Sequence, residues 1–349
     1  MKKKLLALTL ALMVALAACA KPNAEVTPTP GPTPEVVPTE TPSVTPAPTD
    51  PAGRETVNFA VLKGPSGIGA AKLIADSEAE TTRNHYDVTI AAANDEVVAG
   101  LANGSIDIAA VASNVASSLY HKTDGGVQVL AVSGLGVLYI LENGESVESM
   151  ADLKGQTLYA TGQGANPEYV LNYLLTENGV EPSEVDIQWK TADEITALMA
   201  SGEAKLCMLP VPAATGVMMK NADVREALDL SAQWDELNNG SRLTMTTIVV
   251  RTDFAKEHPA AVEAFLSEYA GSVDYVNGDP AGAAELVARF EITPNAKIAE
   301  LAIPKCALVC ITGVDDIKAA IQGYYEVLWS ANPQSIGGSI PDDGFYYGG

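Results

Sequence analysis

Five residues that follow one another closely, Lys63, Gly64, Pro65, Ser66 and Ile68, lie in the stretch LKGPSGIGAAKLI, directly after the apolar run VNFAVL. A turn rich in glycine between a strand and a helix is chemically useful. The unpaired N–H groups at a helix start favour an anion or another hydrogen-bond acceptor. Two nucleotide chemistries fail on spacing. A P-loop needs Gly-Lys-Ser/Thr after four spacers, but Gly64 is followed by Gly69, Ala70 and Ala71. A dinucleotide fingerprint needs a third glycine for close helix–strand packing, and that position is Lys72. What remains is a strand–loop–helix junction, either a plain turn or a backbone cradle for a small ligand, with the helix starting after the three glycines.

Other chemistries lack their residues. No HExxH or G-x-S-x-G occurs, and no nucleophile–base pair is apparent. His85, His121 and His258 are scattered without ligand spacing, so no metal and no cofactor is expected. After Cys19 only Cys207, Cys306 and Cys310 remain, which is no disulfide framework. In the strand-like CALVC, Cys306 and Cys310 would be roughly 13 Å apart, too far for a bridge. The net charge of −23 argues against nucleic acid and against anionic lipid surfaces.

The elements that would position the glycine turn are written twice. DEVVAGLANGSIDIAAVASNVASSLY starts at Asp95, and DEITALMASGEAKLCMLPVPAATGVM starts at Asp193, an offset of 98 residues. Each reads as amphipathic helix, glycine-ended turn, buried strand, break and second helix. The same offset brings Gly64 onto Gly162 and Leu73 onto Leu171, so the first turn has a twin in TGQGANP. Each copy is a strand–helix–strand–helix–strand unit with a parallel sheet. Ligands of open α/β sheets bind outside the strand carboxyl ends. Two facing units would grip a small molecule between their loops. VQVLAVSGLGVLYILENGESV and SRLTMTTIVVRTDF supply apolar strands that enter and leave the second unit, as a two-crossover hinge requires. The remainder is mostly helical and is expected on the first lobe, with the tail aromatics against the body. Trp234 reads as a packing residue on the surface of the second lobe.

The amino terminus sets the compartment. MKKKLLALTLALMVALAACA has a basic start, an apolar core of about a dozen residues and small residues before a cysteine, which is a secretory signal too short to be a stable span. Leu16-Ala17-Ala18-Cys19 matches a bacterial lipobox, with Cys19 as the acylated residue. Two acyl chains, at ~0.8 kcal/mol per buried methylene, anchor firmly. Residue 20 is Ala, so no aspartate suggests inner-membrane retention. The proline- and threonine-rich stretch up to residue 53 cannot bury a core. At ~3.1 Å per residue it would reach on the order of 100 Å as an extended tether.

Lipobox, KGPSGIG, GSIDIAAVASNVASSLY, ADLKGQTLYATGQGANPEYVLNYLL and LTMTTIVVRTDFAKEHPAAVEAFL together resemble the NitT/TauT-like (aliphatic sulfonate, nitrate and taurine) substrate-binding lipoproteins of ABC importers, over about residues 56–346. The resemblance implies an α/β, type II periplasmic-binding-protein fold, two lobes with a two-crossover hinge. The expected division is a signal peptide over 1–18, the lipid-anchored cysteine and tether over 19–53, lobe 1 over 54–138 and 247–349, and lobe 2 over 139–246. It further implies a solute delivered to an ABC permease and its ATPase, from a monomer anchored at the extracytoplasmic face of the cell membrane. Two departures stand out: the cysteine-rich motif of the related pyrimidine-synthesis proteins is missing, and so is a loop arginine that would clamp a sulfonate or nitrate bidentately. Family pocket residues come from the loops after each strand. Carried over, they are Lys63, Gly64, Pro65, Ser66 and Ile68; Ser113 and Asn114, read also as helix caps; Gly162, Gln163, Gly164 and Asn166; Pro210 and Val211; and Tyr139 and Thr246 near the hinge strands. The expected function is capture of a small organic solute for import. Alternatives are a receptor presenting the solute to a membrane signalling protein, and an enzyme on the same fold.

Cys19→Ser should abolish incorporation of labelled fatty acid and move the protein to the soluble fraction. Labelled, membrane-retained C19S protein would remove the anchor.

Overall fold

The computed structural model describes residues 54–348; the signal segment, Cys19 and the tether lie outside the described residues. The chain opens with β1 (Thr56–Leu62), α1 (Pro65–Glu78), β2 (His85–Ala91), α2 (Asn94–Asn103), β3 (Ile108–Ala112) and α3 (Ser113–Lys122). Then β4 (Val127–Leu135) runs into β5 (Leu138–Asn143), and a second series follows: β6 (Thr157–Ala160), α4 (Asn166–Glu177), β7 (Asp186–Trp189), α5 (Ala192–Ser201), β8 (Leu206–Pro210), α6 (Ala213–Lys220), β9 (Val224–Asp229) and α7 (Leu230–Glu236). The chain returns through β10 (Thr244–Arg251) and closes with α8 (Thr252–Glu257), α9 (Pro259–Gly278), α10 (Pro280–Arg289), α11 (Ala296–Ala302), β11 (Leu308–Thr312) and α12 (Val314–Ala331).

Two sheets result. The first is ordered β11-β4-β10-β3-β1-β2 and the second β7-β6-β8-β5-β9. In the first, β1 runs parallel to β2 and β3, and β10 is antiparallel to β3. In the second, β6 runs parallel to β7 and β8, and β5 is antiparallel to β8. Each lobe thus receives its antiparallel strand from a crossover, the first between Leu135 and Leu138, the second before Thr244. This is the expected α/β architecture of two lobes on a two-crossover hinge.

The sequence repeat is a structural repeat. Helices α2 and α5, and strands β3 and β8, correspond residue for residue at the offset of 98. Both helices end on a left-handed glycine, Gly104 at φ 80° and Gly202 at φ 77°, a conformation in which a Cβ is penalised. The twin leucines, Leu73 and Leu171, are both buried.

Helix α1 departs from the sequence reading. It begins at Pro65, ahead of Gly67 and Gly69, so only Gly64 belongs to the turn. Gly67 and Gly69 serve close packing instead. A Cβ at Gly67 would lie 2.8 Å from the Leu62 carbonyl oxygen, and one at Gly69 3.1 Å from the Tyr269 hydroxyl. Helix α9 lies against them. Ser272 donates to the Gly69 carbonyl (2.7 Å) and accepts from the Leu73 N–H (3.1 Å). Beneath it, Phe59 meets Phe265 edge-on at 5.0 Å.

Trp234 also differs from expectation. It is fully buried, 4.9 Å from Tyr173 of α4 and 5.5 Å from Tyr324 of α12, with its indole N–H on Ser241 Oγ at 3.0 Å. It joins the lobes beside the hinge, since a large aromatic with a single donor fills an apolar seam that has one acceptor at its edge. The tail aromatics Phe345 and Tyr346 are buried against the body, as the sequence suggested.

Leu73→Ala and Leu171→Ala should each cost about 2–5 kcal/mol in chemical denaturation, since both empty a packed helix–sheet interface. A loss far smaller at one twin than at the other would show that the two units do not bury that position equivalently.

Candidate functional site

The turn after β1 and the turn after β8 face each other. Gly64 sits at φ 106°, where an L-residue is strained, and a Cβ there would come to 3.9 Å from Pro212 Cδ in the other lobe. Around them opens a cleft of about 760 Å³. It takes Lys63, Gly64 and Pro65 from one lobe and Pro210 and Val211 from the other. Helices α10 and α11 close its outer wall: Ile298 Cδ1 lies 3.7 Å from where a Cβ on Gly216 would stand. Lys63, Lys220, Asp193 and Glu291 also line it, and all four are exposed.

Deeper in, the lobes are joined. Asn166 is the first residue of α4, fixed there by Pro167 behind it. Its side-chain Nδ2 donates to Ser113 Oγ (3.0 Å) and to the Met245 carbonyl (3.0 Å). Ser113, the first residue of α3, donates in turn to the Thr244 carbonyl (2.6 Å), and its own carbonyl accepts from Tyr325 (2.8 Å). Neither Ser113 nor Asn114 caps the helix, contrary to expectation; the cap position is Ala112, with no side-chain cap. The serine hydroxyl turns to the hinge strand because the hinge leaves carbonyls there to be satisfied.

Beyond this junction lies a second opening of about 260 Å³, lined by Asn94, Asp95, Asn114, Gly164 and Tyr169 among others. The candidate residues therefore divide. Lys63, Gly64, Pro65, Pro210 and Val211 share one opening; Asn114 and Gly164 share the other; Ser113 and Asn166 line neither and bond to each other between the lobes. Ser66 is occupied inside its own turn, donating to the Leu62 carbonyl and accepting its N–H, both at 3.1 Å. Ile68 is buried in the first lobe's core. Gly162 is at φ 89°, and a Cβ would strike Pro167 at 2.5 Å, so its own loop demands the glycine. Gln163 is exposed. Thr246 pairs within the first sheet between Ala112 and Gly134.

Tyr139, on β5, is buried with Lys305 Nζ 5.3 Å from its ring centroid, and Lys305 also pairs with Glu226 across the lobes. Burial first, then the Asp229 and Glu226 carboxylates, hold its hydroxyl well above the ordinary phenol value, so it stays a neutral donor.

The sequence reading passed over Asp95 and Asp193. They are twins at the offset of 98, and each lines one opening. The repeat itself carried that signal. Lys305, Glu226 and the Met245 carbonyl had none, because their meeting depends on how the lobes close.

A model of the NMT1/THI5-like family matches residues 82–283, more than half of the chain. The chain belongs to the NMT1/THI5-like family. No curated protein sequence matches it. Solved structures are similar in fold. An ABC transporter from Parabacteroides distasonis is 22% identical with a TM-score of 0.70, covering 83% of this chain and 98% of its own. The periplasmic aliphatic sulphonate binding protein of Escherichia coli is 16% identical with a TM-score of 0.64, covering 80% and 94%. The alkanesulfonate-binding protein of Xanthomonas axonopodis pv. citri, bound to MOPS, is 14% identical with a TM-score of 0.62, covering 85% and 96%.

Asn166→Ala removes two buried hydrogen bonds, one to Ser113 of the first lobe and one to the Met245 carbonyl of the returning hinge strand. The closed arrangement should lose about 1–3 kcal/mol, read as a larger radius of gyration in small-angle scattering. A radius equal to that of the unaltered protein would mean that closure does not depend on this amide.

Proposed function

We propose that this chain is a solute-binding lipoprotein that captures a small organic molecule between its lobes and hands it to an ABC permease with its ATPase. The observation that carries the reading is the junction at Asn166. Helix starts from the two repeated units, α3 and α4, meet there through side chains and the hinge strand. A solute seated beside such a junction touches both lobes at once. Ligand contacts that exist only when the lobes are together favour the closed state by their differential affinity. The fold shared with sulfonate-binding proteins and with an ABC transporter component supports the same role.

The lobes would comprise residues 54–138 with 247–349, and 139–246, with ligand contacts from Lys63 to Pro65, Pro210 and Val211 in the larger opening or from Asn114 and Gly164 in the smaller. Lipidation at Cys19 and the tether would hold a monomer at the outer face of the membrane. Binding rather than catalysis fits the junction. The Ser113 proton goes to a backbone carbonyl, while His121 contacts the Ser339 carbonyl and His258 pairs with Glu55, so neither stands as its base. Among the described residues no helix is long and apolar enough to cross a membrane.

Solute released from the purified protein and identified by mass spectrometry should rebind one to one and reduce the radius of gyration in solution. An unchanged radius at saturating solute would overturn the capture reading.

A further inference from the structure

The chain between α10 and β11 is tied to the first sheet and yet touches the second lobe at α6, β9 and β5. Helix α11 lines the larger opening through Ile298, whose Cδ1 lies 3.7 Å from where a Cβ on Gly216 of α6 would stand. The short turn Ile303–Lys305 follows directly. Its last residue, Lys305, pairs through Nζ with the Glu226 carboxylate of β9. The same Nζ stands 5.3 Å from the ring centroid of Tyr139 on β5.

Each end of this contact is fixed to its own sheet. Cys306, next to Lys305, is fully buried and donates from Sγ to the Ala302 carbonyl at 3.3 Å. The Ala307 carbonyl accepts from the Leu135 N–H at 3.1 Å, at the end of β4, where the chain crosses to the second lobe. On the other side, Glu226 faces Leu141 in the ladder of β5 with β9, and the register slips there, since the neighbouring pair is Ile140 with Leu228. Such a bulge re-aims the side chains beside it. Leu141 lies past the crossover between Leu135 and Leu138. A hinge rotation that parts the sheets therefore draws Lys305 from Glu226 and from the Tyr139 ring, and Ile298 from Gly216, in one movement. An ion pair between two freely moving surface chains contributes little. Here the side chains are 39% and 30% exposed, but both are mounted on fixed backbone, and the ammonium has the tyrosine face as a second partner.

We propose that residues 296–305 are a strap from the first lobe, latched onto the second by Lys305, and that this latch sets how far the lobes stand open. The latch is a property of the empty protein and needs no solute. Its failure leaves solute capture standing, and a failure of capture leaves the latch standing.

Small-angle scattering and amide hydrogen exchange of the purified chain, without added solute, test this. Lys305→Glu and Glu226→Lys each set like charges against one another. Each should enlarge the radius of gyration and speed exchange several-fold in residues 296–302 and 213–220, at an unchanged thermal midpoint. The two together restore opposite charges and should return both readouts to those of the unaltered protein. Lys305→Met, which drops the charge and keeps the apolar stem, reads the same effect where a charge reversal fails to fold. An unmoved radius and unmoved exchange in the single variants would overturn the latch. A double variant that merely sums the two losses would also overturn it, because independent sites add. Faster exchange confined to β9 would show that Glu226 steadies only its own sheet, and the strap would then be no latch.

Discussion

A carboxamide has one donating and one accepting end, and at Asn166 the choice between them decides how the lobes meet. Its Nδ2 reaches two acceptors, the Ser113 hydroxyl at the start of α3 and the Met245 carbonyl of the returning hinge strand. Nothing else at the junction can substitute. Aspartate has no donor, and glutamine places its amide one methylene further out. Pro167 fixes the helix start that carries the amide, and Gly162 yields space to Pro167. The loop that reads as a ligand cradle is thus first a support for one side chain.

That support exists in one lobe only, although the units are repeats. The position equivalent to Asn166 in the first unit is Ile68, and it is buried in that lobe's core. Helix α1 starts at Pro65 and brings two glycines against β1 and α9, so it sinks toward the sheet. Helix α4 carries Leu171 inward in the same manner but presents a polar first residue to the partner lobe. The two units share topology and divide the work: the first turn opens on the larger cleft above a helix sunk into its sheet, and the second carries the amide that reaches the other lobe.

Much of this architecture was legible because it follows from local pattern. Apolar strands, glycine-ended helices and a constant offset are properties of neighbouring residues, and the offset held at α2 with α5 and at β3 with β8. The hinge strands were legible from apolar runs at the ends of the second unit. The site was legible only in part. Gly64, Pro65 and Pro210 could be placed at a cleft because each follows a strand. That Ser113 would turn from its own helix to Thr244, that Trp234 would be buried against Tyr324, and that Gly67 and Gly69 would lie inside a helix all depend on neighbours distant in sequence. Pairwise meetings such as Lys305 with Glu226 leave no periodic trace in a chain.

Charge and satisfaction act at different ranges in the same cleft. The net charge is felt over a Debye length, about 8–10 Å at ordinary salt, and sorts molecules before contact. Past that distance selection passes to single atoms. A buried oxygen that lacks a donor discriminates strongly, because a ligand that cannot supply one leaves the penalty in place. Asn114 and Asn166 each keep a buried Oδ1 that no donor among the described residues reaches, in side chains 4% and 1% exposed. The backbone carbonyls of Met245 and of Ser335 occupy the donating ends of both amides. Of the two amides only Asn166 reaches across the lobes, so only its unmet oxygen depends on their meeting.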